Sequence, residues 1–281
     1  VDRSGDELGR PAGASKLRLR TGAFELIGAG AAAIALVFLM LPLVAIFVNG
    51  DLMAGLRSEE ARQSLWLSLQ TSLVSLAIMV VFGTPIAHLL ATRRFRGRTL
   101  VLTAFELPLV LPPAVAGLGL LMAFGRKGLL GEELNALGLQ IPFTKVAVVM
   151  AMTFVASPLY LRQAIAAFEA VDRTLLDASR TLGAGSARTF WRVAVPLART
   201  GLGAGAALGW ARAVGEFGAT IIFAGSLAGI TRTAPIEIYV GLADNLDAGL
   251  ATAAVLIAAS AGVLLSVKLL SRGRPQRFTP I

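Results

Sequence analysis

Glu106, Arg212 and Glu216 are ionisable side chains that fall inside long apolar runs of this sequence. A charge placed in hydrocarbon costs about 3 kcal/mol or more, so each is a candidate for ion-pair or anion chemistry. Arg212 and Glu216 stand four apart, which puts them on one helix face and allows mutual neutralisation. An arginine left free at such depth would attract an oxyanion, because its planar fork suits a tetrahedral one. Glu106 lies about seven residues into its run and Arg212 about fifteen into its own, a depth difference of ~12 Å that argues against their pairing. Pro112 and Pro113, within ELPLVLPPAVAGLG (106–119), are denser than routine packing needs. They mark either close helix packing or a bent or interrupted helix along a pathway, with Glu106, Pro112, Pro113, Arg212 and Glu216 as its candidate lining.

Other reactive chemistry is sparse. The chain has no cysteine and one histidine, His88. That excludes disulfides, thiolate metal sites, iron–sulfur clusters and multi-histidine metal or haem ligation. No catalytic residue and no metal site are assigned, since HExxH, a nucleophile–base set and clustered carboxylates are all absent from the sequence. His88 reads as a packed or interfacial histidine.

The elements that must hold these residues are membrane helices. Hydrophobic residues make up 56% of the chain and charged ones only 15%, with a mean hydropathy of +0.73. The apolar residues come in runs, six of them near the ~20 residues a bilayer crossing needs. They cover 24–48, 65–91, 100–124, 146–168, 197–224 and 248–270, giving an all-α polytopic membrane protein with a permease domain over 24–270. Residues 1–23 are expected as a disordered N-terminal tail and 271–281 as a C-terminal tail. KLRLR (16–20) precedes the first run, which is too long for a signal-peptide core and is expected to remain as an anchor.

Lysine and arginine set the orientation. With six crossings, the tails, RRFRGR (93–98) and the 162–199 region lie on one side and hold nineteen of these residues, against six on the other. The richer side is cytoplasmic by the positive-inside rule, and both termini lie there. The net charge of +9 follows from this placement. With aromatics at 7% and no basic face, a nucleic-acid partner is not expected.

One cytoplasmic stretch is unlike a linker. Residues 176–196 read LDASRTLGAGSARTFWRVAVP. Leu175, Ala178 and Leu182 share a helical face, and Gly183 is placed to end that helix as a left-handed cap. Ser186 is expected to cap a second helix, in which Ala187, Phe190, Trp191 and Ala194 follow i, i+3, i+4, i+7 spacing while Arg188 and Arg192 project elsewhere. Pro196 is expected to close it and start the next span. Such a pair of helices either lies flat on anionic membrane lipid or docks into a groove on a partner protein.

The run DASRTLG, nine residues, then VAVP resembles the cytoplasmic signature of ABC importer permeases: E-A-A, three residues, G, nine residues, I-x-L-P. Asp177, Ala178, Ser179, Gly183, Val193, Val195 and Pro196 fall at its positions, with Asp for Glu, Ser for Ala and Val for Ile and Leu. WARAVGEFGATIIFAGSLAGITRTAPIEIY (210–239) and ELPLVLPPAVAGLGLLMAFGRKGLLG (106–131) are similar to sulfate and molybdate importer permeases, and more so to the molybdate members. The resemblance implies the type I, binding-protein-dependent permease fold and coupling helices at about 173–194. It implies that Asp177, Ala178, Ser179, Gly183, Arg188, Phe190, Trp191 and Pro196 dock a separate ATPase. It also implies an extracytoplasmic oxyanion-binding protein and a homodimer of permeases. Molybdate is the expected cargo, with sulfate, thiosulfate or tungstate as alternatives and an ion-gradient-driven anion transporter as the rival class. The sequence contains no G-x-x-x-x-G-K-[ST] loop. This chain is therefore expected to be no enzyme and to hold no cofactor, with ATP and Mg²⁺ bound by the partner.

Overall fold

The computed structural model describes residues 13–271. Residues 1–12 and 272–281, the outer parts of the expected tails, lie outside the described residues. The described chain is helical with short connections. α1 (Gly13–Asn49) forms one compact unit and the remainder a second. Helix α1 begins inside the stretch expected as disordered tail, where Lys, Leu and Arg are good helix formers and nothing breaks the run.

The second unit opens with α2 (Leu52–Arg57), whose first turn is capped by the Asp51 carboxylate accepting from the Met53 and Ala54 N–H groups. Ser58 then caps α3 (Glu59–Thr92). The chain turns at Gly97 into α4 (Arg98–Val110), breaks, and continues as α5 (Pro113–Phe124). A short α6 (Gly131–Ala136) leads to α7 (Lys145–Glu169). Then come α8 (Arg173–Thr181), α9 (Ser186–Thr189), a π-helical turn (Phe190–Ala194) and α10 (Val195–Val214). After a second break, α11 (Gly218–Ala224), α12 (Ala234–Asp244) and α13 (Leu246–Ser271) complete the described chain.

Among the described residues, three helical stretches are long and apolar enough to cross a membrane: Phe24–Asn49, Glu59–Thr92 and Lys145–Glu169. The third and fifth expected spans are not single helices. α4 and α5 meet at 114°. Pro112 and Pro113 supply no N–H, and the rings disfavour continuation of the helix before them. α10 ends at Val214, because the chain leaves helical geometry at Gly215–Phe217 before α11 starts. The sixth expected span falls within α13, whose described apolar part is Leu246–Gly262.

The core is α3, α7 and α10, and it is built from small residues. Ala147, Ala151, Ala156 and Ala164 of α7 are fully buried. Gly201, Gly205 and Gly209 of α10 lie against Ala167, Gln163 and Tyr160 of α7, so the 201–209 glycines are a helix-packing seam. Without a hydrophobic drive between helices in lipid, close backbone approach and polar contacts hold them together. Ser75 accepts from the Thr153 hydroxyl at 3.0 Å, Ser72 from the Trp210 indole at 3.1 Å and Ser68 from the Ala234 N–H at 2.7 Å.

The two half-helices α5 and α11 pack on each other just as closely. A Cβ at Gly117 would stand 2.7 Å from the Ala219 carbonyl oxygen and 2.9 Å from its Cα. Those are backbone atoms and cannot swing aside. Gly117→Ala is expected to destabilise the fold by about 1–3 kcal/mol. Gly119→Ala, which meets nothing within 4 Å, should be silent. Thermal unfolding of the two variants in one detergent checks this.

Candidate functional site

The expected site residues fall mainly in two places among the described residues: the hairpin of α8 and α9, and the pair of breaks in the membrane helices.

The hairpin is over-determined at each corner. Asp172 precedes α8, and its carboxylate accepts the Thr174 N–H at 2.9 Å. That backbone hydrogen bond, followed by a side-chain one to Thr174, holds the Asp172 carboxyl below its usual range. α8 ends in a Schellman turn: the Ala184 N–H donates to Ser179 O at 3.1 Å and the Gly183 N–H to Arg180 O at 2.9 Å. Gly183 has φ +82° with open space around it, so conformation rather than room demands glycine. The Ser179 and Thr189 hydroxyls, 3.0 Å apart, tie the two helices together. Arg180 pairs with Asp177 at 3.0 Å on the surface.

Several expectations change here. Ser186 is not the N-cap of the second helix. Gly185 occupies that position with φ −66° and ψ 162°, and Ser186 is the first helical residue. Pro196 does not close the helix either. Helical geometry runs unbroken from Ser186 through Val214, and the π turn absorbs the proline by letting the Val195 N–H reach Phe190 O, five residues back. The wider turn displaces the carbonyl ladder where the ring would clash.

Phe190 points inward, its ring 5.0 Å from His88 and 6.2 Å from Phe168, while Trp191 remains exposed and stacks on it edge-on at 4.8 Å. His88 also meets Phe168 at 5.0 Å, and its Nδ1 is buried without a hydrogen bond. This aromatic cluster fastens the hairpin to the inner ends of α3 and α7. The face of Leu175, Ala178 and Leu182 does not pack against the bundle. Leu176 is the buried residue of α8, and Leu182 is 88% exposed. With Ala187, Arg188 and Trp191 also exposed, the hairpin presents an apolar, arginine-flanked surface that, among the described residues, no other element covers.

The membrane breaks meet each other. A Cβ on Gly218, at the start of α11, would stand 2.7 Å from the Pro113 Cβ, at the start of α5. Glu216 lies in the second break, 1% exposed. Its Oε2 is 2.7 Å from Arg212, and its Oε1 accepts the Ala219 N–H at 2.8 Å. Both oxygens are thus engaged in holding the break, and Glu216 fastens the chain there. Pro112, Pro113, Arg212 and Glu216 are brought to one junction; Glu106 is not. Its carboxylate faces Arg162 of α7 at 3.6 Å. Arg162 lies inside the expected 146–168 span and enters the sequence reading only through the cytoplasmic charge count of 162–199; its place within an apolar helix is the signal that marks it.

Removing Arg212 alone strands a buried carboxylate, which costs about 3–5 kcal/mol. Arg212→Ala should therefore lower the unfolding temperature markedly. Glu216→Gln, which keeps an acceptor for Ala219, should lose distinctly less in the same thermal melt.

The family profile described as binding-protein-dependent transport system inner membrane component matches residues 79–274. The molybdenum transport system permease protein ModB of Mycobacterium tuberculosis is 40% identical over 235 residues, 83% of this chain and 89% of that protein. ModB of Escherichia coli is 40% identical over 178 residues, 63% and 78% of the two chains. The sulfate transport system permease protein CysW of Synechocystis is 34% identical, covering 82% and 86%. Among solved structures, a bacterial alginate ABC transporter, in complex with a periplasmic protein carrying an alginate pentasaccharide, superposes with a TM-score of 0.70. The match has 15% identity and covers 94% of this chain and 97% of that one. The inward-facing MetNI methionine ABC transporter gives 0.59 at 19% identity, covering 76% and 98%.

Proposed function

The chain belongs to the binding-protein-dependent transport system inner membrane components, and from that premise we propose that it is the permease subunit of an ABC importer carrying molybdate across the cytoplasmic membrane. The cargo reading is supported by relatives named for molybdenum transport at 40% identity over most of their length, against 34% for a sulfate permease.

The observation that carries the transport mechanism is the unpartnered apolar surface of the 173–194 hairpin. Leu182 and Trp191 stand exposed on a segment whose backbone is capped, cross-braced and anchored. Lipid would receive such a surface as a flat amphipathic helix. A Schellman corner between two short helices fits a concave protein cleft better. In this reading the exposed face, with Asp177, Ala178, Ser179, Gly183, Arg188 and Trp191, docks on a separate ATPase. Phe190 acts from behind, through His88 and Phe168, and Pro196 keeps the hairpin continuous with α10.

ATP-driven closure of the partner then pushes the hairpin. Because the aromatic cluster joins it to α3 and α7, the push reaches the packed core as a rigid displacement. The two states differ in nucleotide affinity through the partner, and that difference biases inward against outward opening. Two copies of the chain enclose the pathway, both termini face the cytoplasm, and an extracytoplasmic protein delivers the oxyanion. The chain is a transport component, and hydrolysis of ATP is assigned to the partner.

Uptake of molybdate into proteoliposomes containing permease, ATPase and loaded binding protein should require ATP and be outcompeted by tungstate more readily than by sulfate. Leu182→Glu and Trp191→Asp should each lower uptake at least tenfold and weaken copurification of the ATPase. Thermal unfolding should be unchanged in Leu182→Glu, whose side chain is 88% exposed, and only slightly lowered in Trp191→Asp, which loses an edge-on contact with Phe190. Uptake that survives ATP depletion under an ion gradient would instead place the chain with secondary transporters.

A further inference from the structure

α4 and α7 run antiparallel and are joined by two ion pairs of opposite polarity. At the inner end Arg98 of α4 meets Glu169 of α7 at 2.9 Å and also donates to Leu90 O, pinning three helices. Eight residues up α4 and seven residues down α7 stand Glu106 and Arg162. At 1.5 Å per residue that is roughly 10–12 Å deeper, within the apolar length of both helices.

The two pairs differ in quality. Glu106 and Arg162 are 3.6 Å apart, and among the described residues the Arg162 guanidinium makes no hydrogen bond. Its side chain is 66% exposed and that of Glu106 46%. Acyl chains do not accommodate an exposed ion pair at this depth; such groups face the protein interior or a water-filled cavity. The stripe on which Arg162 lies is in keeping with that. Ala166 and Glu169 follow it at i+4 and i+7, both exposed, with half-buried Gln163 beside them. Towards the inner end this surface is small and polar, unlike the Phe-, Leu- and Ile-rich surface of α1, while Leu102, Phe105, Leu161 and Ile165 border the pair itself.

We propose that Arg162 is the cationic contact for the oxyanion in the inner half of the pathway, and that Glu106 is the built-in competitor that displaces the oxyanion from it. This rests on the permease reading above. A planar guanidinium with free donors matches two oxygens of a tetrahedral dianion. A lone arginine would hold a dianion too well, and passage needs binding weak enough to release. A carboxylate within reach but not hydrogen-bonded supplies the exchange: it approaches Arg162 as the oxyanion leaves and yields as the next arrives. Arg212 does not share the task, because its carboxylate partner is buried and fully engaged.

The absence of cysteine makes the test direct. In the complete transporter with ATPase and binding protein, Arg162→Cys should react with a charged, membrane-impermeant methanethiosulfonate, and molybdate should slow that labelling. Arg162→Gln should cut the molybdate moved per ATP hydrolysed at least fivefold, with Arg162→Lys recovering part of it. Glu106→Gln should slow molybdate release from preloaded complexes severalfold. Labelling of position 162 only by a lipid-soluble maleimide, or a wild-type transport ratio in Arg162→Gln, overturns the proposal. Wild-type complex that fails to import any oxyanion overturns the permease reading instead, and the labelling still reports whether position 162 faces water.

Discussion

The Glu216 carboxylate, divided between the Arg212 guanidinium and the Ala219 N–H, resolves a problem that lipid sets for any interrupted helix. Hydrocarbon offers no hydrogen-bond partner, so backbone freed at a break must be satisfied by protein. The chain meets that demand differently at its two breaks. In the first, Pro112 and Pro113 remove the donors outright, and the Pro112 carbonyl takes the Val115 and Ala116 N–H groups. In the second, a buried charge caps the new helix and an arginine one turn back neutralises the charge. Packing the two breaks together, Pro113 against Gly218, fixes where the bundle departs from straight rods.

From that junction the rest of the design follows as a division of labour. The α3–α7–α10 core is tight, small-sided and held by buried hydroxyls, a construction suited to moving as one body rather than deforming. The hairpin is the opposite, braced within itself and exposed outside. Its single aromatic root, Phe190 between His88 and Phe168, decides how a displacement at the surface enters the core. A lever needs stiffness at the handle and at the load, and the backbone caps at Asp172 and Gly183 supply it at the handle.

Much of this could be read from the sequence because it depends on local rules. Gly183 after a helical run, Arg212 four before Glu216, and two prolines in an apolar stretch each name their own geometry. What could not be read depends on phase and on partners distant in the chain. One π turn at 190–194 adds a residue to the helical count, and every later side chain rotates by about 100° relative to a 3.6-residue periodicity. That is why Pro196 sits within a continuous helix, whereas the inward side of Phe190, first in the turn, is set by where His88 and Phe168 lie. The cap moved to Gly185 because extended geometry there let the next residue enter the helix directly. The burial of Leu176 rather than Leu175 and Leu182 depended on where the bundle lies, which no local pattern states. The fifth span was read through Gly215 because an apolar run continues there; only the carboxylate beside it hinted that the backbone might need a cap.

Arg162 shows the same limit from the functional side. Intramembrane charge is a sound criterion for importance, and it singles out Arg212 and Glu216 while Arg162, inside the expected 146–168 span, enters only the count of cytoplasmic charge. Depth alone does not separate a structural ion pair from one that handles cargo; exposure does. Glu216 is sealed and serves the fold, whereas Arg162 is open, lightly paired and free to donate. A carrier of dianions gains nothing from a deep, well-satisfied cation, since every bond already made must be broken for the cargo to bind. It gains from a cation whose resident partner is poor. The 0.9 Å difference between the two contacts, 2.7 Å for Arg212–Glu216 and 3.6 Å for Arg162–Glu106, is on that argument the difference between scaffold and pathway.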